Sequence, residues 1–243
     1  AIMLRLTKSL IIIALGASLA ACGDSNNNRS ETPPEVVSPP VVSPVVTYEF
    51  TIQVSNLTAA QPLSPIAVIS HTENMLWEIG SPASTALEVM AEGGNNSDLL
   101  AVDFATAVAS ADAPLPPGSQ VTLSLTTEQL DSLKISLATM LVNTNDAFTG
   151  LNAIDVSSLA VDEALTFTTF AYDAGTEANS EAAGTIPGPA DSGEGFNEER
   201  DDVNYVAMHP GVVSQHDGLS SSVLSSQHKF DNPLTQVVIT RTQ

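Results

Sequence analysis

Three carboxylates in two short segments carry the chemistry this sequence best suggests. Asp146 lies in Asn143-Thr144-Asn145-Asp146-Ala147-Phe148-Thr149-Gly150, and Asp173 and Glu177 lie in Tyr172-Asp173-Ala174-Gly175-Thr176-Glu177. Each segment follows a run with strand character, so each is expected as a loop at a sheet edge. Gly175 lets the backbone turn tightly between two acids. If the two preceding strands are neighbours, Asp146, Asp173 and Glu177 meet at one end of the fold. Carboxylates so gathered repel one another unless a cation stands among them, and hard cations such as calcium take about six to eight oxygen ligands. An EF-hand pattern is absent. The same aspartates also suit turns in which the side chain bonds nearby backbone, so spacing alone leaves both readings open.

Other constellations point elsewhere. His209, His216 and His228, with Asp217 and Asp231, could bind zinc, and with it a metal-dependent hydrolase becomes the alternative function. Their spacings match no compact zinc motif, and His209-Pro210-Gly211 and His216-Asp217-Gly218 look like turns. A Ser-His-Asp hydrolase lacks its Gly-x-Ser-x-Gly elbow here, and no phosphate-cradling glycine loop occurs. The acidic stretch from Asp191 to Asp202 is expected as a flexible loop. Trp77 and Leu76 are expected in the core.

The elements that must position these residues are mostly strands. Tyr48–Val54, Leu63–Ser70, Ser119–Leu125, Lys134–Val142, Ala164–Ala171 and Gln236–Arg241 alternate apolar with polar residues or are rich in β-branched ones. Helical spacing is limited to Ser84–Glu92, where Ala86, Leu87, Met90 and Ala91 share a face, and to Ser97–Ser110. Strands separated by long loops, with no βαβ alternation, predict an all-β antiparallel sandwich with short inserted helices.

The chain carries 28 acidic and 7 basic residues, for a net charge of −21. Such a surface repels nucleic acid, so no nucleic-acid partner is expected. Arg5 and Lys8 precede an apolar stretch from Leu10 to about Ala21, which reads as a signal peptide over residues 1–21. It ends in Leu19-Ala20-Ala21-Cys22, which resembles the lipobox of bacterial lipoproteins. The resemblance implies that Cys22, the only cysteine, is lipidated and anchors the chain to the cell envelope. Cleavage before Cys22 removes Arg5 and Lys8 and takes the charge to −23. Residues 22–47 are rich in Pro, Val and Ser and read as an extended tether. The remainder, 48–243, is long enough for its own core without disulfides.

The segments quoted above resemble the spondin N-terminal-type domain of animal F-spondins and many bacterial secreted proteins. The most specific match is Asp173-Ala174-Gly175-Thr176-Glu177, with Asn145-Asp146-Ala147-Phe148-Thr149-Gly150 before it. Pro62-Leu63-Ser64-Pro65, His71, Leu76-Trp77-Glu78-Ile79-Gly80, Ala91-Glu92-Gly93-Gly94, His228-Lys229-Phe230-Asp231-Asn232-Pro233 and Val238-Ile239-Thr240-Arg241 agree. The resemblance implies an eight-stranded sandwich akin to the calcium-binding domains of synaptotagmin. It implies one calcium held by Asp146, Asp173 and Glu177, the last often Asp in animal members. It also implies an adhesion or partner-binding module, with no turnover, facing an extracellular protein or glycan. A lipid anchor in the outer membrane completes the expectation.

Overall fold

Ten strands and two α-helices follow in order: β1 (Tyr48–Asn56), β2 (Ala67–His71), α1 (Thr85–Gly93), α2 (Ser97–Leu100), β3 (Ala107–Ser110), β4 (Gln120–Thr127), β5 (Lys134–Met140), β6 (Ala147–Asp155), β7 (Ala164–Thr168), β8 (Ala171–Asp173), β9 (Ala207–Met208) and β10 (Thr235–Arg241). They come from a computed structural model that describes residues 44–243. The expected signal peptide over residues 1–21, Cys22 and the part of the expected tether before Pro44 lie outside the described residues. Among the described residues no helix is long and apolar enough to cross a membrane.

Alternation of residue type sets the first sheet. In β1 the side chains of Phe50, Ile52 and Val54 are fully buried and those between them are not. It is flanked by β4 and β10, and β7 lies beyond β10, giving the antiparallel order β4-β1-β10-β7. The second sheet has the order β3-β2-β5-β6-β8-β9 and is antiparallel at every pairing. The two sheets share one core, in which Phe50, Ile52, Leu125, Val237 and Ile239 meet Val68, Ile135, Leu137 and Leu151. The sandwich expected from the sequence is therefore the observed architecture. It holds ten strands among the described residues where eight were expected.

The larger sheet is buried on both faces at its centre. Ile69, Ala138, Met140 and Phe148 on its outer side are covered by Leu87, Met90 and Ala91 of α1 and by Trp77. Ser84 caps α1 by accepting from the Leu87 amide at 3.2 Å, and Gly94 ends it in the left-handed conformation, at φ 69°. Both devices are visible in the sequence, and the helix lies within one residue of its expected span.

Four boundaries differ from expectation. The helix expected over Ser97–Ser110 stops at Leu100, and Ala107–Ser110 pairs with β2 instead; the backbone bonds offered by the edge of β2 outweigh the helical spacing of its alanines. The strand expected from Leu63 begins at Ala67, Leu63 making only isolated bridges to Leu115 and Leu141. Ala164–Ala171 splits at Thr169–Phe170, sending β7 to one sheet and β8 to the other. Ala147–Gly150, expected as loop, is the start of β6. The acidic stretch Asp191–Asp202 is tied down rather than free. The Glu194 amide donates to the Gly184 carbonyl at 2.8 Å, and Arg200 reaches Glu88 and the Ala83 carbonyl.

Gly150 of β6 pairs with Ala138 of β5, and an added Cβ there would stand 1.8 Å from the Leu137 carbonyl oxygen. Gly150→Ala must push the two central strands apart. We expect a loss of at least about 2 kcal/mol, read as a lower urea midpoint with an unchanged slope. An unaltered midpoint would contradict this packing.

Candidate metal centre

The pairing of β6 with β8 brings the two acidic segments together. Ala147 stands opposite Asp173 and Phe148 opposite Tyr172. The Ala174 amide donates to the Asp146 carbonyl at 3.3 Å, extending the ladder by one step. The chain between β5 and β6 is held by Thr144, whose hydroxyl donates to the Leu141 carbonyl at 2.6 Å and accepts from the Ala147 amide at 3.1 Å. Asn143 fastens the same turn by donating to the Ala60 carbonyl and accepting from the Ala190 amide. The aromatic residues beside the acids are structural. The Phe148 and Tyr172 rings stack at 5.3 Å, and Trp77 meets Phe148 edge-on at 5.2 Å.

Each predicted site carboxylate is anchored by one oxygen or both. Asp146 is fully buried, and its Oδ2 accepts from the amides of Thr176 at 2.9 Å and Glu177 at 3.2 Å. Its Oδ1 is buried with no hydrogen-bond partner. Burial, then the neighbouring charge of Asp173, pushes its pKa up to about 8 despite those amides. Asp173 accepts from the Gly175 amide at 2.8 Å and from Asn179 Nδ2 at 2.6 Å, and burial raises its pKa as well. Gly175 sits at φ 69°, and an added Cβ would strike the Tyr205 carbonyl at 2.2 Å, so only glycine makes this turn. Glu177 accepts from Asn145 Nδ2 at 2.9 Å through Oε1, while Oε2 is buried without a partner. Burial raises its pKa to about 7, and the charges of Glu92, Asp201 and Glu194 add to the shift.

Among the neighbouring charges, that of Asp173 raises Asp146 most and that of Glu92 raises Glu177 most. As placed, no three His, Cys, Asp or Glu side chains among the described residues enclose a point that could hold a metal. The donor set nevertheless suits a hard cation. It is all oxygen, it holds buried carboxylate oxygens with nothing bound to them, and its nearest guanidinium, that of Arg200, is committed to Glu88 in a two-pronged ion pair. Sequence reasoning missed Glu92 as a member of this group. Its spacing of four from Glu88 placed both glutamates beside the apolar stripe of α1, which was a usable signal.

The histidines are not gathered. His209 is buried, accepts from the Gly211 amide at Nδ1 and bonds Asn179 Oδ1 at Nε2, 3.0 Å each. Burial holds its pKa down at about 4. It is neutral, and through Asn179 it braces Asp173. His216 is exposed and His228 is half-buried on a separate turn. The open coordination position and adjacent base of a hydrolase are not assembled from them. In comparisons with known proteins, the chain matches no family model and no curated sequence.

Buried acids make stability depend on pH with a defined sign. The folded Asp146 carboxyl keeps its proton up to about pH 8, whereas the unfolded one releases it near 3.8. Its contribution is complete below 3.8 and is lost as pH rises through 8. Glu177 acts in the same direction up to about 7. The buried histidines oppose this only below their ordinary value of 6.5. Metal-free protein should therefore lose stability from pH 6.5 to 8, by at most about 1.4 kcal/mol per pH unit from Asp146. Denaturant unfolding at a series of pH values checks this, and Asp146→Asn should flatten the slope.

Proposed function

We propose that this chain is a lipid-anchored protein of the bacterial cell envelope whose sandwich, of the spondin N-terminal type, is a calcium-stabilised binding or adhesion module without turnover. The observation that carries the reading is the set of unpartnered buried oxygens on Asp146 and Glu177, beside the buried Asp173. Asp146, Asp173 and Glu177 would hold the ion. Calcium supplies there a compact positive charge that accepts several oxygens and tolerates irregular geometry. The chain's own part is to present carboxylates already held by amides and by Asn145 and Asn179. The β5–β6 turn and the loop after β8 then act as one rigid edge. Docking of an extracellular protein or glycan takes place on that edge or on a sheet face. At extracellular calcium levels even a site of roughly 10⁻⁴–10⁻³ M is filled. Lipid on Cys22 supplies the membrane attachment, in the outer membrane.

Thermal unfolding in chelator and across a calcium titration tests the reading, with magnesium as control. Calcium at about 100 times its dissociation constant adds about 2.7 kcal/mol, which for a domain of this size raises the Tm by roughly 5–10 °C. Asp173→Asn should lose most of the rise. A wild-type Tm indifferent to calcium would overturn the proposal.

A further inference from the structure

We infer that Glu92, at the end of α1, is a further ligand for calcium at this edge, acting with Glu177. The inference rests on the calcium reading above and extends it to an element outside the two acidic segments. Glu92 is only 1% exposed. Its Oε2 accepts from the Asn197 amide at 2.9 Å, and its Oε1 is buried with no partner. Glu177 repeats the pattern, with Oε1 held by Asn145 and Oε2 bare. The segment whose Asn197 holds Glu92 also ties down the loop around Glu177: the Asp201 amide donates to the Thr176 carbonyl at 3.1 Å, and Asp201 Oδ1 accepts from the Ala178 amide at 2.8 Å. The Thr176 hydroxyl donates to Asp146 Oδ2 at 3.4 Å, so the loop that this segment ties down also holds Asp146.

Among the described residues no positive side chain forms an ion pair with Glu92 or Glu177. Arg200 serves Glu88, and the other near neighbours of Glu177, namely Asp201 and Glu194, are acidic. A buried carboxylate with one oxygen fixed by an amide and the other bare is poorly placed for a structural role, because its bare oxygen forfeits hydration for nothing. It is well placed to bind a cation, since the amide fixes its direction and the bare oxygen supplies the bond. The bare carboxylate oxygens select a hard divalent ion over a soft one.

The test measures calcium binding by titration calorimetry, and Tm with and without calcium at pH 8, for wild type, Glu92→Gln and Glu92→Asp. Glutamine can still accept from the Asn197 amide but carries no charge; aspartate keeps the charge and shortens the reach. The expected result is that Glu92→Gln loses one bound calcium or binds at least tenfold more weakly, while its metal-free Tm is equal to or above wild type. Glu92→Asp should also bind more weakly. Unchanged stoichiometry and affinity in Glu92→Gln, or a lower metal-free Tm in it, would overturn the assignment and leave Glu92 a structural prop. Wild type that binds no calcium would sink the underlying reading as well, so the two failures are distinct.

Discussion

A carboxylate withdrawn from water has to be neutralised by a proton, a guanidinium or a metal ion. The acidic edge of this sandwich is arranged around that requirement. Glu88 meets it with Arg200. Asp146, Glu177 and Glu92 each keep a buried oxygen for which the protein supplies nothing. Four of the surrounding features exist to hold these groups in place: the Thr144 turn, the Gly175 turn, the Asn145 amide and the Asn197 backbone.

Anchoring and neutralisation are separated in this design. Backbone amides of Thr176 and Glu177 converge on Asp146 Oδ2 as an anion-binding concavity would. Even so, two amides do not offset full burial beside a second carboxylate, which is why the proton is retained. His209 contributes by remaining neutral: it orients Asn179, and Asn179 orients Asp173. A charged imidazole at the same place would partly relieve the site and weaken its demand for an external cation.

Much of the fold was legible because its strands obey simple periodicity. β1, β4 and β10 show one wet face and one dry face, and their limits fall within two residues of those expected. β6 escaped notice because its first residues, Ala147–Gly150, are buried on both sides and follow Asn-Thr-Asn-Asp, so they carry turn chemistry and no alternation. β9, two residues long, is made by its neighbour and not by its own composition. Of the acidic edge, Asp146 and Asp173 were legible from their segments, and β6–β8 pairing is the physical cause of their meeting. The part played by Glu92 was not legible, because its charge bears on Glu177 from a helix some 85 residues earlier in the chain. Distance in sequence hides such contacts from any local pattern.

The direction of β1 has a consequence of its own. Its last residue, Asn56, lies near the acidic edge, where Gln61 and Asn143 are bonded together. Its first residue, Tyr48, lies at the far end beside Thr127 and the close of β10. Nine residues of strand put roughly 30 Å between those ends. The sandwich therefore has a pole of entry and an opposite pole that bears the carboxylates. The chain thus enters β1, at Tyr48, on the side of the sandwich away from the carboxylates.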